Sequence, residues 1–186
     1  MIKYEELYND VKKVLSEKRF THSEGVVKRA IEYAKIYNED EDIVKLVAIA
    51  HDIAKEISEE ETKKYLRKYE IELDDIEKQS KNLIHGIIGA QICKEKYNFT
   101  DDMINAVRYH TTGRENMSTL EKIIYLADAT EENRKYCYEP YVELIKNDID
   151  KGMCEVSKWV IGNLLDRNEI IHLDTVKCYN YYKTRN

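Results

Sequence analysis

The longest apolar stretch of the chain runs from Ile43 to Lys55 and reads IVKLVAIAHDIAK. Almost every position up to Ala54 is apolar, so a helix formed here would be buried on most of its sides. Only His51 and Asp52 break the apolar character near its end. Because a buried carboxylate needs a cation, hydrogen bonds or a raised pKa, the pattern predicts a central helix carrying a polar pair that has a specific partner.

Two interpretations of this pair are open. Adjacent side chains of a helix point about 100° apart, so His51 and Asp52 would bind one ion only if other helices supplied further ligands. The alternative is a core histidine hydrogen-bonded to a carbonyl, with the aspartate in a salt bridge to a nearby lysine. The positions of the other histidines favour the first interpretation.

The rest of the chain repeats apolar residues at helical spacing, and no segment alternates apolar and polar residues as a half-buried strand does. Capping boxes are expected where a hydroxyl residue precedes a glutamate by three positions, at Thr21–Glu24, Ser58–Glu61 and Ser118–Glu121. Gly86 and Gly89 within one predicted helix indicate close packing against another backbone. The predicted fold class is all-α, a helical bundle.

Composition limits the kind of protein this is. With 42% apolar and 35% charged residues it is typical of a soluble globular chain, and residues 1–186 are expected to form one domain. The net charge of −6 argues against binding to nucleic acid or an anionic membrane. No signal peptide or spanning segment is visible, so we expect a cytoplasmic protein. Its cysteines are expected to stay reduced; they are Cys93, Cys137, Cys154 and Cys178.

Five separate predicted helices carry histidine or aspartate at an end or within an apolar face. These residues are His22, the pair His51 and Asp52, His85, His110 and Asp128. Scattered structural histidines would not readily produce such a set. Imidazole and carboxylate groups without a thiolate suit iron, manganese, zinc or a related divalent ion. A metal centre between helices is therefore the leading interpretation.

Four short sequences carry a resemblance to a known family. They are HDIAKE from His51, HTTGR from His110, MSTLEKIIYLAD from Met117 and IIHLDT from Ile170. With the ligand order H, HD, H, H, D they resemble the YqeK-type family of HD-domain phosphohydrolases, from about Arg19 onward. The resemblance implies a single HD-domain helical bundle and a bacterial symmetrical bis(5′-nucleosyl)-tetraphosphatase, which cuts diadenosine tetraphosphate into two ADP with a metal-activated water.

The same resemblance implies roles for individual residues. The principal metal, expected to be iron with manganese or cobalt as substitutes, would be held by His22, His51, Asp52 and Asp128. A second ion or a phosphate would contact His85 and His110. Asp52 and Lys55 would be catalytic, and the substrate would contact Lys55, Thr111, Arg114 and Arg134. Relatives usually carry Glu-Pro where this chain has Glu131-Glu132, a departure that bears on the position of Arg134.

Simple chemistry agrees with the roles of the basic residues. Lys55 follows His51 by one turn of the predicted helix, on the same face, where its ammonium would reach over the metal. Arg114 lies in the loop that directly follows His110, and its guanidinium offers a two-pronged donor to phosphate. His172 is left outside the metal set, because a structural hydrogen bond explains it equally well.

Other functions stay open. One alternative keeps HD-type hydrolysis but changes the substrate to a nucleoside mono- or triphosphate or a cyclic nucleotide, and related HD folds also include di-iron oxygenases. A non-catalytic nucleotide sensor is a further alternative. The expected partner is a small nucleotide, with neither nucleic acid nor membrane, and a homodimer is left open.

Overall fold

A computed structural model describes residues 2–134 and 139–185. The α-helices in these two ranges are α1 (Tyr4–Val14), α2 (Glu17–Tyr37), α3 (Glu41–Ala50), α4 (Glu59–Lys68), α5 (Lys81–Tyr97), α6 (Asp101–Tyr109), α7 (Thr119–Thr130), α8 (Glu139–Asn147), α9 (Ile149–Asp166) and α10 (Leu173–Lys183). A short 3₁₀ turn at Glu77–Gln79 precedes α5. No described residue lies in a β-strand, so the predicted all-α fold is confirmed.

Helix α3 lies at the centre of the bundle. Its side chains Val44, Val47 and Ile49 are completely buried, and α1, α2, α6 and α7 all pack against it. Burying an aliphatic side chain of this size contributes about 1.5–3 kcal/mol, so the apolar run stabilises the whole arrangement. The carboxyl end of α3 therefore points into the interior of the protein, and His51, which follows it, is completely buried.

The predicted extension of this helix to Lys55 is wrong. Helix α3 ends at Ala50, and the next residues form turns with short-range hydrogen bonds, from Ile53 N to Ala50 O and from Lys55 N to Asp52 O. The imidazole of His51 donates through Nδ1 to the carbonyl oxygen of Ala48 at 2.7 Å. In a continued helix that carbonyl would accept from the Asp52 amide, so the side chain replaces the next helical hydrogen bond.

Helix α2 begins earlier than the sequence predicts. Ser16 is its N-cap and accepts a hydrogen bond from the Arg19 amide. Thr21, expected to open the helix, instead lies inside it and donates to the carbonyl of Glu17 at 3.0 Å. His22 is therefore in the second turn of α2 rather than the first. The capping boxes predicted at Ser58–Glu61 and Ser118–Glu121 are both confirmed.

Close packing of α5 against α6 depends on Gly86. A Cβ atom here would lie 3.0 Å from the carbonyl oxygen of Arg108, as expected for a glycine that faces another backbone. At Gly89 the nearest atoms belong instead to side chains. This close approach brings Nε2 of His85 within 3.0 Å of Nε2 of His110. Helix packing thus builds one side of the histidine cluster.

Two smaller expectations concern cysteines and membranes. Cys93, Cys154 and Cys178 are buried and free, as predicted, while Cys137 lies outside the described residues. Among the helices that the structure describes, none has the length and apolar character needed to cross a bilayer.

Candidate metal centre

The carboxylate of Asp52 is the hub of the histidine cluster. Its Oδ1 lies 2.9 Å from Nε2 of His85 and 3.5 Å from Nε2 of His110, and its Oδ2 lies 3.5 Å from Nε2 of His51. The residue is only 2% exposed. His51 follows α3, His85 lies within α5 and His110 follows α6. Each of them directs an imidazole nitrogen at the same buried carboxylate.

Helices α2 and α7 complete the cluster from the other side. Nε2 of His22 lies 3.0 Å from Oδ1 of Asp128, and Nε2 of His51 lies 4.0 Å from the same oxygen. All six residues that the sequence singles out as ligands thus converge, with His51 between the two carboxylates. Two groups have ligand atoms within 4.8 Å of one another: His22, His51 and Asp128, and His51, Asp52 and His110.

The lone pairs of the nitrogen and oxygen atoms in this cluster suit a bound cation better than they suit hydrogen bonds to one another. His51 and His110 each donate through Nδ1 to a backbone carbonyl, of Ala48 and Val107, at 2.7 Å. When neutral, each ring then presents an acceptor nitrogen to Asp52, which is itself an acceptor. Within the described chain, buried atoms left without a hydrogen bond of good geometry include Nε2 of His22, Nε2 of His51 and Oδ1 of Asp52. A divalent ion would bind to lone pairs that face one another in this way.

Electrostatics support the same conclusion. Burial lowers the pKa of His51 to about 4 and that of His85 also to about 4, despite the nearby carboxylates, so both rings are neutral at pH 7. Burial alone would raise the pKa of Asp52, but the surrounding histidines hold it well below its usual range. Neutral imidazoles beside an ionised carboxylate are the protonation states that a metal requires.

His22 has an additional partner that sequence reasoning missed. Its Nδ1 lies 3.1 Å from Oε1 of Glu131, a buried carboxylate. Burial opposes protonation of His22, but its hydrogen bonds with Asp128 and Glu131 prevail and raise its pKa to about 9, so metal binding at this ring would release a proton. A carboxylate behind a ligating imidazole fixes the ring orientation and strengthens it as a ligand. Relatives usually carry proline at the next position, where this chain has Glu132. That difference does not remove the contact between Glu131 and His22.

Cationic side chains border the cluster. Arg19 contacts Oδ2 of Asp52 at 2.9 Å through Nη1, and Nζ of Lys55 lies 3.9 Å from Oδ1 and 3.4 Å from Nε2 of His85. Arg134 donates through Nε to the carbonyl of Asp128 at 2.9 Å and also contacts its carboxylate. Lys55 and Arg134 thus lie beside the cluster where phosphate contacts were predicted for them. Arg19 was missed, although it precedes His22 by three positions on α2.

Thr111 and Arg114 have different surroundings. Oγ1 of Thr111 lies 3.1 Å from Nε2 of His110, at the cluster. The guanidinium of Arg114 instead forms hydrogen bonds of 2.7 Å with both oxygens of Glu121, and its carbon lies 5.2 Å from the ring centre of Tyr109. Arg114 is not among the residues that line the cavity above the cluster. The phosphate contact predicted for it stays a prediction, and in this conformation its donors are engaged elsewhere.

A cavity of about 770 Å³ opens above the cluster. Asp52, His110 and Asp128 lie in its wall, and Trp159 on α9 lines it further along. Tyr125 also lines it, three residues before Asp128 on α7. Its hydroxyl is buried and has no hydrogen-bond partner among the described residues. Sequence reasoning missed both aromatic residues because such positions are usually core; the three-residue spacing to Asp128 was the available signal for Tyr125.

His172 is the N-cap of α10, as a structural role predicts. Its Nδ1 accepts from the Asp174 amide at 3.2 Å, and its Nε2 lies 3.3 Å from Oδ2 of Asp74. Glu77 completes a group of metal-compatible residues there, but its carboxylate already pairs with Arg108 at 2.6 Å. His172 stays outside the metal cluster.

Comparison with known proteins agrees with this geometry. The family model described as "HD domain" matches residues 19–133, a range that contains every residue of the cluster. The chain belongs to the HD-domain family.

Individual relatives narrow the assignment, and the predicted resemblance is confirmed. The chain is 38% identical to "Bis(5'-nucleosyl)-tetraphosphatase, symmetrical" of Halalkalibacterium halodurans, over 91% of each chain. Proteins with the same name from Staphylococcus aureus and Bacillus subtilis are 33% and 32% identical, over 92% and 95% of this chain and 90% and 96% of theirs. A crystal structure from Clostridium acetobutylicum, called a predicted HD superfamily hydrolase involved in NAD metabolism, superposes with a TM-score of 0.93 at 32% identity, covering all of both chains.

Proposed function

We propose that this protein hydrolyses dinucleoside tetraphosphates symmetrically, cutting diadenosine tetraphosphate into two ADP. The observation that carries the proposal is the buried cluster of acceptor atoms, bordered by Arg19, Lys55 and Arg134, at the wall of a nucleotide-sized cavity. The names of its relatives specify the substrate class. The reaction consumes one water and breaks the bond to the central bridging oxygen, which leaves with one ADP.

The cluster would hold a divalent transition metal. We propose iron, with manganese or cobalt as substitutes, because the donors are imidazole and carboxylate without thiolate. The principal ligands would be His22, His51, Asp52 and Asp128, while His85 and His110 would hold a second ion or contact phosphate. The chemistry that such an ion supplies is a lower pKa for its water and polarisation of phosphoryl oxygens.

The protein's own side chains bind and orient the polyphosphate. Lys55 and Arg19 lie at Asp52 and Arg134 lies at Asp128, so cations flank the cluster on two sides. They would offset the negative charge that develops on the phosphoryl oxygens. Thr111 would contact phosphate beside His110. The buried hydroxyl of Tyr125 would donate to a phosphate oxygen, which gives it the partner it lacks among the described residues.

Identification of products tests this proposal. Purified protein supplied with iron or manganese should convert diadenosine tetraphosphate into ADP alone, separated by ion-exchange chromatography. AMP together with ATP would contradict a symmetrical cut. A panel of mono-, tri- and cyclic nucleotides distinguishes the alternative HD hydrolases, because a better substrate in that panel would replace the tetraphosphate. Asp52→Ala serves as the inactive control.

A further inference from the structure

A second cavity, of about 300 Å³, lies next to the first. It lies beneath α4, between that helix, the segment before the 3₁₀ turn and the start of α5. Its apolar lining includes Ile57, Leu66, Leu73 and Ile84. Ligand pockets are mostly apolar with a few polar groups, and this volume is at the lower end of their range, which suits one nucleoside.

Residues 78–85 separate the two cavities. Gln79, Ser80 and Leu83 line the large cavity, whereas Ile84 and His85 line the small one. Lys55 and Lys81 line both. The cavities therefore meet at the amino end of α5, next to the place where Lys55 contacts Asp52 and His85. The cluster borders this junction through His85, while Asp52, His110 and Asp128 lie in the wall of the large cavity.

The small cavity has more basic than acidic side chains among the described residues, and two of its lysines lie at the junction. Lys55, Lys63, Lys78 and Lys81 line the small cavity, and Glu59, paired with Lys81 at 2.7 Å, is its one acidic residue within the described chain. At the start of α5, the described side chain of Ser80 does not cap the helix. The amide groups of a first turn without a side-chain cap attract anions, and here they adjoin the two shared lysines.

A symmetrical cut imposes a requirement on the binding site. The bond that breaks is at the middle of the substrate, so an equal half, with one nucleoside and two phosphates, extends on each side of it. We infer that the small cavity binds the nucleoside of one half, while the large cavity binds the other half and the phosphates pass Lys55 and Lys81. This inference rests on the proposed function, and it assigns a nucleoside subsite to a region that contains no metal ligand other than His85.

Filling the small cavity tests the inference. Leu66→Trp places a larger side chain in it from α4, a helix with no fully buried residue and therefore tolerant of substitution. Thr62→Trp is a second filling variant from the same helix. Tyr69→Trp is the matched control, because it adds the same side chain near the end of α4 without lining the cavity. Circular dichroism verifies that all three fold.

Two measurements on metal-loaded protein give the answer. Equilibrium dialysis with ADP should find two molecules bound per chain in the wild type and in Tyr69→Trp, but one in the filling variants. The kcat/KM for diadenosine tetraphosphate should fall at least about tenfold in the filling variants, a loss of roughly 1.4 kcal/mol in transition-state binding. The control should stay within about twofold of the wild type.

The opposite results are equally clear. One ADP per chain in an active wild type, or unchanged kcat/KM in both filling variants, would overturn the second subsite and leave the proposed function intact. A wild type that does not hydrolyse diadenosine tetraphosphate would instead reject the proposed function, and the subsite inference with it.

Discussion

Arg114 and Glu121 form a two-pronged ion pair in which both hydrogen bonds are 2.7 Å long. Glu121 is completely buried and also accepts from the Ser118 amide as part of the capping box of α7. The pair therefore links the loop after His110 to the start of the helix that carries Asp128. It is placed to stabilise the protein whether or not Arg114 touches substrate.

Arg114→Ala should lower the free energy of unfolding by roughly 3 kcal/mol, because it leaves the buried Glu121 carboxylate without its cation. Urea unfolding measures this, and Arg114→Ala combined with Glu121→Gln should recover part of the loss. Unchanged stability together with a raised KM would show instead that Arg114 acts on the substrate, as its sequence position predicted.

Asp52→Ala should abolish metal binding and turnover while the helical content is retained. Six cationic or imidazole side chains lie within 4.0 Å of this carboxylate, so its removal takes away their common partner. Elemental analysis and product assay measure the two effects, with Asp52→Asn as the control of equal size. Residual activity above about a tenth of the wild type, less than roughly 1.4 kcal/mol in barrier, would exclude a direct ligand role.

Iron should copurify with the protein at one or two ions per chain, and chelation should lower both activity and stability. An ion present at about a thousand times its dissociation constant stabilises the fold by roughly 4 kcal/mol, so the melting temperature should fall on chelation. Readdition of iron, manganese or cobalt should restore both. Protein without bound metal, whose activity none of these ions restores, would refute the metal assignment.

Tyr125→Phe separates a substrate contact from a packing role. The hydroxyl is buried and no described group accepts its hydrogen bond, so its removal should leave the melting temperature unchanged or slightly higher. A hydrogen bond to a charged phosphate is worth about 1.5–3 kcal/mol, so kcat/KM should fall roughly tenfold or more. A lower melting temperature with normal kinetics would identify a structural residue.

The sequence predicts the all-α fold and the convergence of the ligands, and the reasons are physical. Helical periodicity is a local property, so each segment of the sequence shows it. The order of the histidines and aspartates matches a family motif, which predicts that they converge. Helix boundaries were less predictable. The end of α3 depends on the side chain of His51 occupying the Ala48 carbonyl, and the start of α2 depends on Ser16 rather than Thr21.

Contacts between distant segments were beyond the sequence alone. Arg19 and Glu131 lie outside the four short sequences that carry the resemblance, and Tyr125 lies within one of them without being singled out by it. Each gains its significance from a partner in another segment or from the cavity that it lines. Arg114 illustrates the converse. Its position in the loop after His110 predicts a phosphate contact. Whether its guanidinium reaches the cavity depends on its ion pair with Glu121, and the burial of Glu121 is visible only in the folded chain.

The carboxylate of Glu56 accepts hydrogen bonds from the backbone amide and the hydroxyl of Ser16, at 2.6 and 2.8 Å. Ser16 caps the helix that supplies Arg19 and His22, and Glu56 ends the turn that supplies Asp52 and Lys55. Fraying of the first turn of α2 would break this link and loosen both segments together. Amide hydrogen exchange should therefore show residues 17–22 and 52–56 opening as one cooperative unit, and Glu56→Gln should raise both exchange rates in parallel.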